Sequence, residues 1–281
     1  MSRDFAREHV LLTDSGTEAL VLALHAAREL AGPESPVALP AYTCFDVAAA
    51  AVAVGAPIHL YDLDPETLGP DWDSLTRVLE GGARVVVIAP LAGIPVDWDL
   101  VVERVTAFGA AAVEDAAQGH GAEWRGRPLG SLGDVSVLSF GRGKGWTGGA
   151  GGALLCAHEA LAVAARREVR RHGTLGRELV APLLALAQSV FGRPALYGLP
   201  AAIPWLGLGD TRYRAARVPG PMSRSAAALL EATRDGARRA AATRRENGKW
   251  LVAHVPRGSR VSAVRQPFGS EPGYLRFPVR L

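Results

Sequence analysis

Lys144 is one of only two lysines in a chain of 281 residues, the other being Lys249, while arginine fills nearly every other basic position. It closes the segment Ser139-Phe140-Gly141-Arg142-Gly143-Lys144. An amine can lose its proton and attack a carbonyl; a guanidinium stays protonated at physiological pH and cannot. Two further features belong beside it. Asp115 offers a carboxylate at the end of the strand-like run Ala111–Glu114, and Ser15-Gly16-Thr17 opens a helical pattern. A helix start presents free amides and the positive end of a dipole, which suits a phosphate.

Together these residues meet the three needs of pyridoxal phosphate. Its aldehyde takes an amine, Lys144. Its ring nitrogen must stay protonated to draw electrons, and a carboxylate, Asp115, does that. Its phosphate needs amide donors with no bulky side chain in the way, at Gly16 and Thr17. Singly, a Ser-Gly-Thr helix start is an ordinary N-cap and an Asp after a strand is an ordinary turn residue. The combination carries the reading.

Such groups have to be brought to one place by a scaffold. Helical spacing over Thr17–Leu30 (Leu20, Leu24, Ala27) is followed by an apolar run at Val37–Leu39, a helix from about Phe45 to Val54, and a strand at Pro57–Tyr61. Asp71–Leu79 reads as a helix, Arg84–Ala89 as a buried strand and Asp97–Phe108 as a helix. Ala111–Val113, Val135–Phe140 and Gly152–Cys156 read as further strands. Short strands alternating with helices predict an α/β fold with a mainly parallel sheet, whose ligands bind beyond the carboxyl ends of the strands. From about Glu159 the pattern turns helical and Arg-rich, with a Pro/Gly-rich stretch at Gly192–Pro221. A last helix over Ser225–Arg245 leads into a short β-like tail.

Several segments resemble the DegT/DnrJ/StrS aminotransferases. They are Ser15-Gly16-Thr17-Glu18-Ala19-Leu20, Pro40-Ala41-Tyr42-Thr43, Asp62-Leu63-Asp64, Val113 through Ala122 (VEDAAQGHGA), Gly130-Ser131-Leu132-Gly133-Asp134 and Ser139 through Lys144, closed by Gly151-Gly152. The resemblance implies a fold-type I pyridoxal-phosphate enzyme acting on keto-sugars, mostly nucleotide-linked, with a homodimer as the active unit. It implies a pyridoxal-phosphate-binding large domain at 1–165. A helical connection and a short, incomplete C-terminal small domain then fill 166–281.

Carried over by position, Lys144 resembles the lysine that bears the cofactor, and Asp115 the partner of its ring nitrogen. Gln118 matches the residue that hydrogen-bonds the ring oxygen. Gly16 and Thr17 match the phosphate turn, and Ser139 a hydroxyl on the phosphate. His120 is given no role, and Glu114 reads as a packing or capping residue. Cys44 stands where the family often stacks an aromatic ring on the cofactor, so either Cys44 packs there or a neighbour turns in. The Asn by which the family reaches the partner's phosphate is not visible; Val218-Pro219-Gly220-Pro221 stands near its place. Both ends read as short against the family.

The net charge of +3 comes from dispersed arginines. Arg234, Arg238 and Arg239 read as the solvated face of a helix, so nucleic acid is not an expected partner. Cys44 and Cys156 lie far apart without metal-type spacing, which points to a reduced, cytoplasmic protein and no metal. Met1–His9 carries no signal-peptide core, and Leu179–Val190 is too short to span a bilayer, so no membrane is expected either. The expected activity is transfer of an amino group, from glutamate, to a keto-sugar. The alternative is a shortened, inactive homologue serving as a scaffold or partner subunit. A lyase or dehydratase fits less well, because dehydrating relatives have His where Lys144 stands.

Overall fold

The Ser15 side chain accepts a hydrogen bond from the Glu18 amide at 3.1 Å, starting a helix where the apolar spacing calls for one. Asp71 and Asp97 do the same for two later helices, from the amides of Ser74 and Leu100. The computed structural model describes residues 1–170, 175–203, 213–255 and 260–281. In order they form α1 (Ser2–Phe5), β1 (His9–Thr13), α2 (Gly16–Ala31), β2 (Val37–Pro40), α3 (Phe45–Ala53) and β3 (Ile58–Tyr61). Then come α4 (Trp72–Glu80), β4 (Val85–Ile88), α5 (Trp98–Ala107), β5 (Ala111–Asp115), β6 (Glu123–Trp124) and β7 (Arg127–Pro128). After β8 (Val135–Ser139) and β9 (Gly152–Cys156) follow α6 (Glu159–Arg167), α7 (Leu175–Phe191), α8 (Pro194–Ala201) and α9 (Arg224–His254). The tail adds β10 (Ser262–Ala263), β11 (Ser270–Glu271) and β12 (Val279–Arg280).

Seven strands make the central sheet, in the order β1-β9-β8-β5-β4-β2-β3. Each pairing from β3 across to β8 is parallel, and β9 runs antiparallel between β8 and β1. This is the expected α/β fold with a mainly parallel sheet. Side chains alternate along each strand. Val85 and Val87 join the core under α2, α3 and α6, whereas Val86 and Ile88 face α4 and α5. Leu22 and Leu24 of α2 have no exposed surface, and each such burial contributes about 1.5–3 kcal/mol.

The second half departs from the expectations in three ways. α9 runs on past Arg245 to His254, because Gly248 does not stop it: a Cβ there would collide with the Tyr274 ring, so this glycine serves close packing. The stretch Gly192–Pro221 contains α8, started by Pro194 at its first position, where no amide is needed; positions 204–212 lie outside the described residues. Of the α9 arginines expected in solvent, Arg238 and Arg239 are exposed, but Arg234 is not. Arg234 is only 28% exposed, and both it and Arg238 reach Asp4. Among the described residues no helix is long and apolar enough to cross a membrane.

Candidate active site

β5 and β8 are parallel neighbours, with Asp115 opposite Val137, so Asp115 and Ser139 end their strands at one edge of the sheet. α2 starts at the same edge: Thr13, the last residue of β1, pairs with Gly152 opposite Ser139, and Ser15 bridges Gly151. There a cavity of about 270 Å³ is lined by Gly16, Thr17, Cys44, Asp115, Ser139 and Lys144. Six of the seven residues expected at the site are thus brought together. The volume lies just below the usual range for ligand pockets, which starts at about 300 Å³.

Gln118 is the exception. β5 ends in a single 3-10 turn, Ala116–Gln118, which carries this side chain toward the loop after β4. There its Oε1 accepts the Ala92 amide at 3.0 Å, and it does not line the cavity. Ala92 presents that amide from a left-handed conformation, φ 57°.

Asp115 is buried, and its Oδ1 accepts the Ala117 amide at 3.1 Å. Among the described residues its other oxygen takes no hydrogen bond. Burial pushes its carboxyl above the usual range, and the Lys144 cation pulls it back. A carboxylate so placed is completed by a second positive group, such as a protonated ring nitrogen. Cys44 is exposed at the cavity wall, and partial desolvation there pushes its thiol up more than Lys144 pulls it down. The phosphate end fits as well. A Cβ on Gly16 would stand 2.7 Å from Ser139 Cβ and 2.8 Å from its Oγ, so only glycine lets α2 begin directly under that hydroxyl. With the Glu18 amide taken by Ser15, helix geometry leaves the Thr17 amide without an intrahelical acceptor. The residues present therefore suit pyridoxal phosphate.

Two lining side chains, Asp46 and Asp14, lie outside the expected set, and Gly149 and Ala150 extend the expected Gly151-Gly152 segment. Asp46 lies in the first turn of α3, where its Oδ2 takes the Cys44 thiol at 3.5 Å. Asp14 and the Gly149–Gly151 segment close the remaining wall. The glycine cluster after Thr147 was a visible signal; nothing in the spacing of Asp46 marked it. Glu114, read as packing or capping, is fully buried and accepts from Gly130, Leu132, Gly133 and Ser136. Among the described residues no cluster of His, Cys, Asp or Glu could hold a metal ion.

A model of the DegT/DnrJ/EryC1/StrS aminotransferase family matches residues 3–181. Among similar proteins is the L-glutamine:2-deoxy-scyllo-inosose aminotransferase of Streptomyces kanamyceticus, 35% identical over 55% of this chain and 36% of that one. GDP-perosamine synthase of Caulobacter vibrioides (strain ATCC 19089 / CIP 103742 / CB 15) is 33% identical over 57% of this chain and 42% of its own. The crystal structure of the sugar aminotransferase CalS13 from Micromonospora echinospora superposes with a TM-score of 0.74. It is 25% identical and covers 99% of this chain and 69% of that one. The chain spans about two fifths of the length of the curated relatives it matches.

Proposed function

The chain belongs to the DegT/DnrJ/EryC1/StrS aminotransferase family, and from that we propose a pyridoxal-phosphate-dependent aminotransferase that moves an amino group onto a nucleotide-linked keto-sugar. The observation that carries the reading is the convergence of Lys144, Asp115, Ser139 and the start of α2 on one cavity. The amino donor is glutamate or, as named for the similar protein of S. kanamyceticus, glutamine. The nucleotide link draws support from the likeness to a GDP-perosamine synthase.

Bound pyridoxal phosphate draws electrons from the carbon next to the nitrogen it holds, so that a proton can leave that carbon. The rest falls to side chains of this protein. The Gly16 and Thr17 amides and the Ser139 hydroxyl hold phosphate oxygens. Asp115 keeps the ring nitrogen charged. Cys44, in the cavity wall, would lie against the ring, and Gln118, its Oε1 held by Ala92 just outside the cavity, would reach the ring oxygen only by turning its Nε2 inward. Lys144 Nζ takes the proton from the donor carbon and returns one to the carbon that receives nitrogen. All of this machinery lies within residues 1–165.

A homodimer is the proposed working unit. Leu179, Leu183 and Leu186 of α7 are 68%, 64% and 62% exposed, an apolar face that a monomer would leave in water. The apolar cavity between α7 and α8 is bounded by Arg142 and Gly143, next to Lys144, so a second copy seated there would extend the wall of the site. Sedimentation tests this: an active, stable monomer would contradict it. The substrate reading is tested by incubating the protein with a panel of nucleotide-linked keto-sugars and either glutamate or glutamine. Mass spectrometry should find the ketone oxygen of one sugar replaced by an amine. If no sugar gains nitrogen while free cyclitol ketones do, the acceptor class is wrong.

A further inference from the structure

A second cavity, of about 450 Å³, shares no lining residue with the one at Lys144. One wall is a single face of α9, where Arg234, Arg238, Ala241 and Arg245 recur at helical spacing and the small Ala241 leaves room between the guanidinium groups. Phe5, Leu129 and Trp146, none more than 6% exposed, give it an apolar side.

Among its lining residues three arginines face two carboxylates. Arg234 and Arg238 share one lining carboxylate, Asp4, at 3.3 and 2.5 Å. Arg245 lies 3.6 Å from the other, Glu123, and 2.6 Å from Glu271. Glu231 and Asp235, which also approach the first two arginines, are 68% and 76% exposed and screened by water. His120 is neutral, its pKa lowered to about 4 by burial and by Arg244 and Arg238. In addition, Arg234 Nε, Arg245 Nε and His120 Nδ1 are buried without a hydrogen-bond partner. Buried donors left unpaired are rare in folded proteins, and two guanidinium Nε groups beside an unpaired imidazole nitrogen in one cavity call for a ligand.

We propose that this cavity binds a small organic anion, its carboxylate or phosphate group among Arg234, Arg238 and Arg245 and its apolar body against Trp146 and Phe5. Guanidinium groups suit either oxyanion, and the volume falls within the range of small-molecule sites. Occupancy bears on the lysine segment. The His120 and Trp146 rings lie 5.7 Å apart, and a Cβ on Gly145, the residue after Lys144, would stand 2.9 Å from His120 Cβ.

The experiment is a tryptophan-fluorescence titration of the whole chain at constant ionic strength. The probes are benzoate, phenyl phosphate and benzamide, the last matching benzoate in shape without its charge. Benzoate or phenyl phosphate should give a saturable change that benzamide does not, and the one that binds tighter identifies the oxyanion. Trp146→Phe should remove the signal. Arg238→Gln should weaken binding by about tenfold, the cost of one charged hydrogen bond. Ala242 is exposed at the rim, so Ala242→Phe should block binding while the melting temperature holds. No response to either anion, an equal response to benzamide, or binding that survives both Arg238→Gln and Ala242→Phe would overturn the proposal.

Discussion

Glu114 and Arg7 hold the same turn from its two polar sides. Glu114 accepts the amides of Gly130 and Leu132 at 2.7 and 2.9 Å, while Arg7 donates to the carbonyls of Ser131 and Gly133 at 2.7 and 2.6 Å. Between them the alternate donors and acceptors of the turn are satisfied. Glu114 directly precedes Asp115, so this clamp fixes the base from which the site's buried carboxylate projects. An amide cannot replace it. In Glu114→Gln one oxygen becomes an NH2 group facing other donors, and leaving them unpaired costs about 1–3 kcal/mol. Urea unfolding should show that loss of midpoint at an unchanged slope. An unchanged midpoint would mean that the turn holds without the carboxylate.

Gly16→Ala would place a Cβ 2.7 Å from Ser139 Cβ. Alanine favours helices, yet overpacking of this kind costs about 1–3 kcal/mol, so the clash wins. The melting temperature should fall and the absorbance titration with pyridoxal phosphate should weaken. Ser139→Gly in the same chain should recover stability but not cofactor affinity, because the hydroxyl is gone.

Asp115→Asn keeps the shape and removes the charge. The cofactor should still attach at Lys144, visible as its absorbance band, while turnover drops by about 10²–10³-fold, the usual cost of one preorganised electrostatic partner. Turnover at the parent rate would assign the ring nitrogen to another residue.

His120 gives the fold a pH dependence of its own. Its folded pKa is about 4 against 6.5 for a free imidazole, so between those values the unfolded chain binds the extra proton and stability falls as pH falls. At pH 5 the loss is about 2 kcal/mol. Melting curves at pH 7 and pH 5 should therefore diverge in the parent and draw together in His120→Phe. An equal acid shift in both would remove His120 from the balance.

Local signals made much of this fold legible. Gly152–Cys156 was read at its observed bounds because glycines fence an apolar run, and the N-caps Asp71 and Asp97 stood at the head of the helices they start. What stayed hidden depends on distant partners. β1 is an edge strand with a weakly graded burial pattern, held by pairing to β9, well over a hundred residues away in the chain. Gln118 is expected beside the cofactor, but the partner that holds its oxygen, a left-handed Ala92 that no glycine announces, is not visible in the sequence. Arg234 of α9 reads as solvated because Asp4, its partner, belongs to the other end of the sequence.

The central claim is that Lys144 carries the cofactor. Incubation with pyridoxal phosphate, reduction with borohydride to make the link permanent, and peptide mapping would test it most directly. The label should appear on the peptide that contains Lys144 and not on the one that contains Lys249, and Lys144→Arg should abolish it. Label on Lys249, or on neither lysine, would contradict the account.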